Sequence, residues 1–194
     1  MKIRILFFVL SLSFLLSCKN NNDNRIIEQQ KDIKKKELIF KNINNAWLFV
    51  IPVLQPQTQT MVSNWKEWSL FLEEFKQKPK SSIGAFKKKS EKLTKKAFDL
   101  GNTFPPQLNL PAIRSRISVL NTQIRMLDLY MHLQNIPDQK VAALIPEINL
   151  VIASFTQQLE EIVFKNAIPM ERGESDMIRM LDTARAIPNE KIKN

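Results

Sequence analysis

The spacing of apolar residues most constrains the fold, because they recur at alternating steps of three and four along much of the chain. Five such positions run through residues 58–77 and six through residues 111–135. These steps place apolar side chains on one face of an α-helix and match the seam spacing of packed helices. Both stretches are therefore predicted to be amphipathic helices that bury one face.

Glycine and proline usage supports helices rather than strands. Only three glycines occur in 194 residues, and the ten prolines lie mainly between the periodic stretches. Few glycines disfavour turn-rich β folds and Gly-rich phosphate loops, while proline marks helix ends. We therefore predict an all-α fold, an antiparallel bundle of four to five long amphipathic helices. The predicted long helices span residues 25–51, 58–77, 82–100, 111–135 and 138–166.

Proline also bears on the predictions for the last long helix and for the connector before the fourth. Pro146 lies inside the last predicted long helix, so that helix is either kinked there or preceded by a separate short turn. The proline-rich residues 102–111 are predicted to form an extended connector, a spacer or a segment that binds a partner. A short helix over residues 175–186 is predicted within the polar tail, residues 167–194.

The N-terminus has the pattern of a secretory signal. Lys2 and Arg4 precede an apolar run that is short for a membrane span. The run ends in Leu15-Leu16-Ser17-Cys18, which resembles the lipobox of bacterial lipoproteins. The resemblance implies cleavage after Ser17 and attachment of diacylglycerol to Cys18, with further acylation of the new amine. The alternatives are an uncleaved N-terminal anchor and an ordinary signal with a coincidental cysteine.

The residues around Cys18 predict where the protein is located, and its being the only cysteine limits thiol chemistry. Lys19 follows Cys18, at the position where aspartate would indicate retention in the inner membrane, so an outer-membrane anchor is favoured. No acidic tract follows the cysteine, as would indicate export to the cell surface. We therefore expect a periplasm-facing protein with a flexible Asn-rich tether over residues 18–24 and a bundle over residues 25–166. Because Cys18 is the only cysteine, no disulfide or thiolate metal site is expected.

Positive charge is concentrated in one segment. The full chain carries a net charge of +10, and residues 76–96 contain nine lysines and one acid. Six of these lysines lie opposite the apolar face of the third predicted helix. They are Lys87, Lys88, Lys89, Lys92, Lys95 and Lys96. They form either a solvated face or a contact surface for anionic lipid, an acidic envelope protein or a cell-wall polymer.

Other candidate sites have simpler structural explanations. Trp47, Trp65 and Trp68 occupy seam positions, where core packing competes with a pocket for a small apolar or acyl ligand. His132 is the only histidine, which is too few for a di-iron bundle, and no metal or cofactor is expected. The paired acids at 73–74 and 160–161 are interpreted as solvated faces.

These observations favour a non-enzymatic protein, since no catalytic motif spacing is present. Nucleic acid is not an expected partner, because the lysines lack interleaved aromatic residues for base stacking. The leading hypothesis is an outer-membrane-anchored interaction or adaptor subunit of a cell-envelope assembly. The alternatives are a module that binds an apolar or acyl ligand and a chaperone-like cradle with a basic concave surface.

Overall fold

The computed structural model describes residues 21–169, and every regular element in that range is helical. The prediction of an all-α bundle is confirmed. The signal, Ser17, Cys18 and the predicted tail helix lie outside the described residues. The helices are α1 (Asn21–Ala46), α2 (Pro56–Val62), α3 (Lys66–Lys76), α4 (Ile83–Asn102), α5 (Pro111–His132) and α6 (Asp138–Ala167), with a 3-10 turn at Pro106–Leu108.

The long helices are arranged so that successive helices pack against one another. Helix α3 packs on α4, α4 on α5, and α5 on α6, and short connections make these neighbours antiparallel. Helix α5 buries all six of its predicted seam residues. The apolar faces of α1, α3, α4, α5 and α6 join in one continuous core. This core positions the outer faces of α4 and α5, which carry the sites described below.

The last turns of α1 and the segment after it run along α6 in the same direction. The Asn42 carboxamide donates to Asp138 Oδ2 at 2.6 Å, and the Val50 N–H donates to Asn149 Oδ1 at 3.0 Å. Residue numbers therefore increase in the same direction along both segments. The α1–α6 pair is the parallel exception in a bundle whose sequential neighbours are antiparallel.

The first predicted helix ends at Ala46 rather than at residue 51, because side chains of α6 replace its backbone hydrogen bonds. The Asn149 carboxamide accepts from the Val50 N–H and donates to the Leu48 carbonyl at 2.9 Å. Glu160 accepts from the Gln55 N–H at 2.7 Å. With these backbone groups satisfied, the segment can stay extended along α6. Glu160 is thus a structural acceptor rather than part of a purely solvated face.

The second predicted helix is two helices, α2 and α3, with a break at residues 63–65. The Ser63 hydroxyl donates to the Thr60 carbonyl at 2.7 Å, which competes with continued backbone pairing. Trp65 lies at the N-cap of α3 with φ of −88° and ψ of 86°, outside helical geometry. The break therefore lets Trp65 enter the core from a bend.

The N-terminal boundary also differs from the prediction. Helix α1 begins at Asn21, so residues 21–24 of the predicted tether belong to the helix. Asparagine is a favoured residue type near helix starts, and adding residues to an existing helix is easier than nucleating one. Every residue from 25 to 38 is exposed, but Lys35 Nζ donates to Asn135 Oδ1 at 3.3 Å, so only the turns of α1 before about residue 32 project beyond the bundle.

Pro146 does not interrupt the last long helix. Helix α6 is continuous from Asp138 to Ala167 with Pro146 inside it. A separate short turn before residue 146 is therefore excluded. Both Ile145 and Ile148 beside the proline are buried, so core packing on both sides of it holds the helix together.

Candidate functional site on the lysine-rich helix

Helix α4 is fixed in place by a cap and a buried apolar face. The Ser82 hydroxyl accepts from the Ala85 N–H at 3.2 Å, as expected for an N-cap residue. Phe86, Leu93 and Leu100 are fully buried on the core side. The opposite face is consequently presented to solvent.

The predicted lysines do not all lie on that outer face. Lys88, Lys92 and Lys95 are exposed, whereas Lys87 and Lys96 are half-buried. We define these five residues as the lysine face. The sixth predicted member, Lys89, is only 6% exposed and belongs to the α3–α4 interface.

Lys89 is buried because it pairs with Glu74 of α3. Its Nζ lies 2.7 Å from Glu74 Oε1, and the two side chains are 6% and 17% exposed. A buried ammonium is tolerated when a hydrogen-bonded counter-charge accompanies it. Lys89 is therefore removed from the predicted contact surface, and Glu74 is a structural partner rather than a solvated acid.

The lysine face itself carries uncompensated positive charge. Among residues 25–169, Lys89 is the only lysine of the segment 76–96 that forms an ion pair. The segment's single acid, Glu91, instead contacts His132 Nε2 at 2.9 Å. Because neither ion pairs nor core burial account for the exposed ammonium groups, they are free to attract an anionic partner.

His132 lies between two carboxylates at the end of α5. Its Nδ1 lies 2.9 Å from the Asp128 carbonyl oxygen and 3.2 Å from Asp128 Oδ1, and its Nε2 lies beside Glu91. The hydrogen bond to the Asp128 backbone raises the pKa of His132, although burial opposes it, and the Asp128 and Glu91 charges raise it further. The protonated ring donates to both neighbours and ties α5 to α4.

We expect this contact to weaken as the pH rises. Since the folded pKa lies above its ordinary value of 6.5, protonation of His132 contributes stability below about pH 6.5, and this is lost as the pH rises through the folded pKa. NMR titration of the ring protons should show a midpoint above 6.5. Glu91→Gln should lower that midpoint, and an unchanged midpoint in this variant would contradict the assigned contact.

The three tryptophans are core residues. Each is 2% exposed, and Trp47 meets the ring of Phe86 at 4.9 Å between centroids. Trp65 and Trp68 stack at 6.2 Å, and both contact Phe155. The rings fill the space that a ligand pocket would need. The indole N–H groups of Trp47 and Trp65 have no hydrogen-bond partner among the described residues.

A groove between α4 and α5 is a feature that sequence inspection missed. It has a volume of about 640 Å³ and is lined by Arg114 and Arg125 of α5 together with Phe98 of α4. The arginines are eleven residues apart, which is about three helical turns and places them on one face. This spacing is the signal that could have identified the groove from the sequence.

Other site chemistry is not evident in the part of the chain that the structure describes. Residues 21–169 contain no cluster of three or more metal-ligating His, Cys, Asp or Glu side chains. Within the same range, none of the helices combines the length and apolar character needed to cross a membrane. Comparison of the chain with known protein families, curated proteins and solved structures finds no match.

Proposed function

We propose that this chain is a lipid-anchored, non-enzymatic interaction subunit of a cell-envelope assembly. In this proposal, acylated Cys18 holds it in the outer membrane, with the bundle facing the periplasm. The observation that carries the proposal is the lysine face of α4, whose ammonium groups form no ion pairs among the described residues. Complementary charge steers association and sets register between partners.

The placement of the lysine face favours an acidic protein over the membrane itself. The face extends about 13 Å along the side of α4, from Lys87 to Lys96. Residues 21–31 of α1, about three helical turns, separate the bundle from the proposed lipid site. The lysine face lies along the side of the bundle, whereas the bilayer would lie beyond its end. The face is therefore better placed to contact a neighbouring protein than the bilayer.

The packing gives less support to an apolar or acyl ligand. Trp47, Trp65 and Trp68 are occupied by contacts with other aromatic rings, so a ligand would have to displace core side chains. A chaperone-like cradle would use the same lysine face but would bind many weak clients. Crosslinking separates these possibilities, since an adaptor predicts one stoichiometric partner.

Neutralising the exposed lysines is expected to remove that partner. The variant Lys88→Gln, Lys92→Gln, Lys95→Gln should reduce crosslinked partner at least tenfold at low salt, because it removes three charges from the contact. Crosslinking mass spectrometry of intact cell envelopes measures the loss. Rising ionic strength should weaken binding by the unmodified chain in the same way, since salt screens exposed charges.

The matched control carries the same charge change elsewhere. Lys66, Lys140 and Lys165 are exposed and lie on α3, α6 and the end of α6, respectively. Their replacement by glutamine should leave partner recovery unchanged. Equal recovery with both triple variants would refute the role of the lysine face. Loss of binding to anionic vesicles without loss of a protein partner would assign the face to lipid.

A further inference from the structure

The groove between α4 and α5 has an ordered polar rim. The Arg114 Nε–H donates to Asn109 Oδ1 at 2.7 Å, and the Arg114 guanidinium carbon lies 5.9 Å from the centre of the Phe104 ring. These contacts with the connector before α5 hold one arginine in position. Less side-chain freedom is then lost when the guanidinium binds a ligand.

The charge in the groove is of one sign. Arg114 and Arg125 line it without any acidic side chain in its wall, and neither forms an ion pair among the described residues. Both arginines are exposed. Guanidinium groups bind carboxylates through two parallel hydrogen bonds, which makes a carboxylate the matching ligand group.

The wall between the arginines is suited to a peptide backbone. Asn102, Asn109 and Asn121 line the groove. The carboxamides of Asn102 and Asn121 each offer both a donor and an acceptor, and Asn109, whose Oδ1 accepts from Arg114, offers its amide donor. A peptide unit presents the same pair of groups. Phe98, which is 61% exposed, adds an apolar surface on the α4 side.

The spacing of the arginines sets the ligand length. Eleven residues of helix place their backbones about 16 Å apart. An extended peptide rises about 3.3 Å per residue, so about five residues cover this distance. We propose that the groove binds an extended acidic segment of a partner protein, with two carboxylates four to six residues apart held by Arg114 and Arg125.

This proposal does not depend on the lysine face, because no lysine lines the groove. It is tested by NMR titration of the full chain in detergent with a heptapeptide that carries glutamates at its first and sixth positions. Side-chain amide signals of Asn102, Asn109 and Asn121 should shift in a saturable manner. The same peptide with glutamine in place of both glutamates should bind at least tenfold more weakly.

Two variants complete the test. Arg114→Gln with Arg125→Gln should weaken binding of the glutamate peptide at least tenfold, whereas Lys66→Gln with Lys165→Gln makes the same charge change outside the groove and should not. Absence of shifts at millimolar peptide, or equal binding by both double variants, would overturn the proposal. Saturable binding of a carboxylated oligosaccharide in place of the peptide would overturn the peptide assignment.

Discussion

Replacing Glu74 with alanine is expected to lower the free energy of unfolding by about 3 kcal/mol, because it leaves Lys89 buried without a counter-charge. The 2.7 Å contact joins α3 to α4, and Lys89 is 6% exposed. Urea denaturation followed by circular dichroism measures the change. The neighbouring acid Glu73 is exposed and forms no ion pair among the described residues, so Glu73→Ala is the control.

A double variant separates the cost of an unpaired charge from loss of the pair itself. When both partners of a buried ion pair become apolar, stability is often preserved or increased. Lys89→Met combined with Glu74→Leu should therefore recover most of the stability lost in Glu74→Ala. If Glu74→Ala unfolds at the same urea concentration as the unmodified chain, the pair is not structurally important.

Replacing Phe86 with alanine should cost about 3–5 kcal/mol, the usual range for removing a fully buried aromatic side chain. Phe86 is 0% exposed and contacts the rings of Phe40 and Trp47, so it joins α4 to α1. The cavity left behind removes contacts to both rings. Thermal unfolding and near-ultraviolet circular dichroism measure the loss of stability and of tryptophan packing.

The same helix provides the matched control for this substitution. Phe98 lies twelve residues after Phe86 on α4 and is 61% exposed. Phe98→Ala should change stability by less than about 0.5 kcal/mol, as is usual for surface positions. Equal destabilisation by the two substitutions would contradict the assignment of Phe86 to the core.

The helical fold was predictable because the strongest signals are local. Periodic apolar residues determine which face of a helix is buried, and the six predicted seam residues of α5 are all buried as expected. Proline spacing also located most helix ends to within a few residues. Apolar periodicity and proline spacing depend only on residues of the same helix, so both can be read from the sequence.

The departures arise from contacts between distant parts of the chain. The segment after Ala46 is extended because Asn149, about a hundred residues away, satisfies its backbone. Lys89 is buried because Glu74 approaches from another helix. A helical wheel places Lys89 at the edge of the lysine arc, about 20° from Leu100, so its position beside the apolar face can be read from the sequence. Its partner on another helix cannot.

The candidate sites show the same division. Clustering along the sequence identified the five residues of the lysine face, whereas the groove needs α4, α5 and the connector to meet. The residues that line the groove lie within 98–125, but only the folded arrangement places Phe98 opposite the arginines. The common helical face of Arg114 and Arg125 can be read from the sequence, since they lie eleven residues apart.

The projecting start of α1 has a consequence for distance. Residues 21–31 form about 16 Å of helix before α1 meets the rest of the bundle, and the same helix continues into the core through Ile43. Under the proposed acylation of Cys18, this part of α1 is a rigid helical spacer rather than a flexible tether. The length of this spacer would set the distance between the membrane and the bundle. Only partners that present a binding surface at that distance could then be bound.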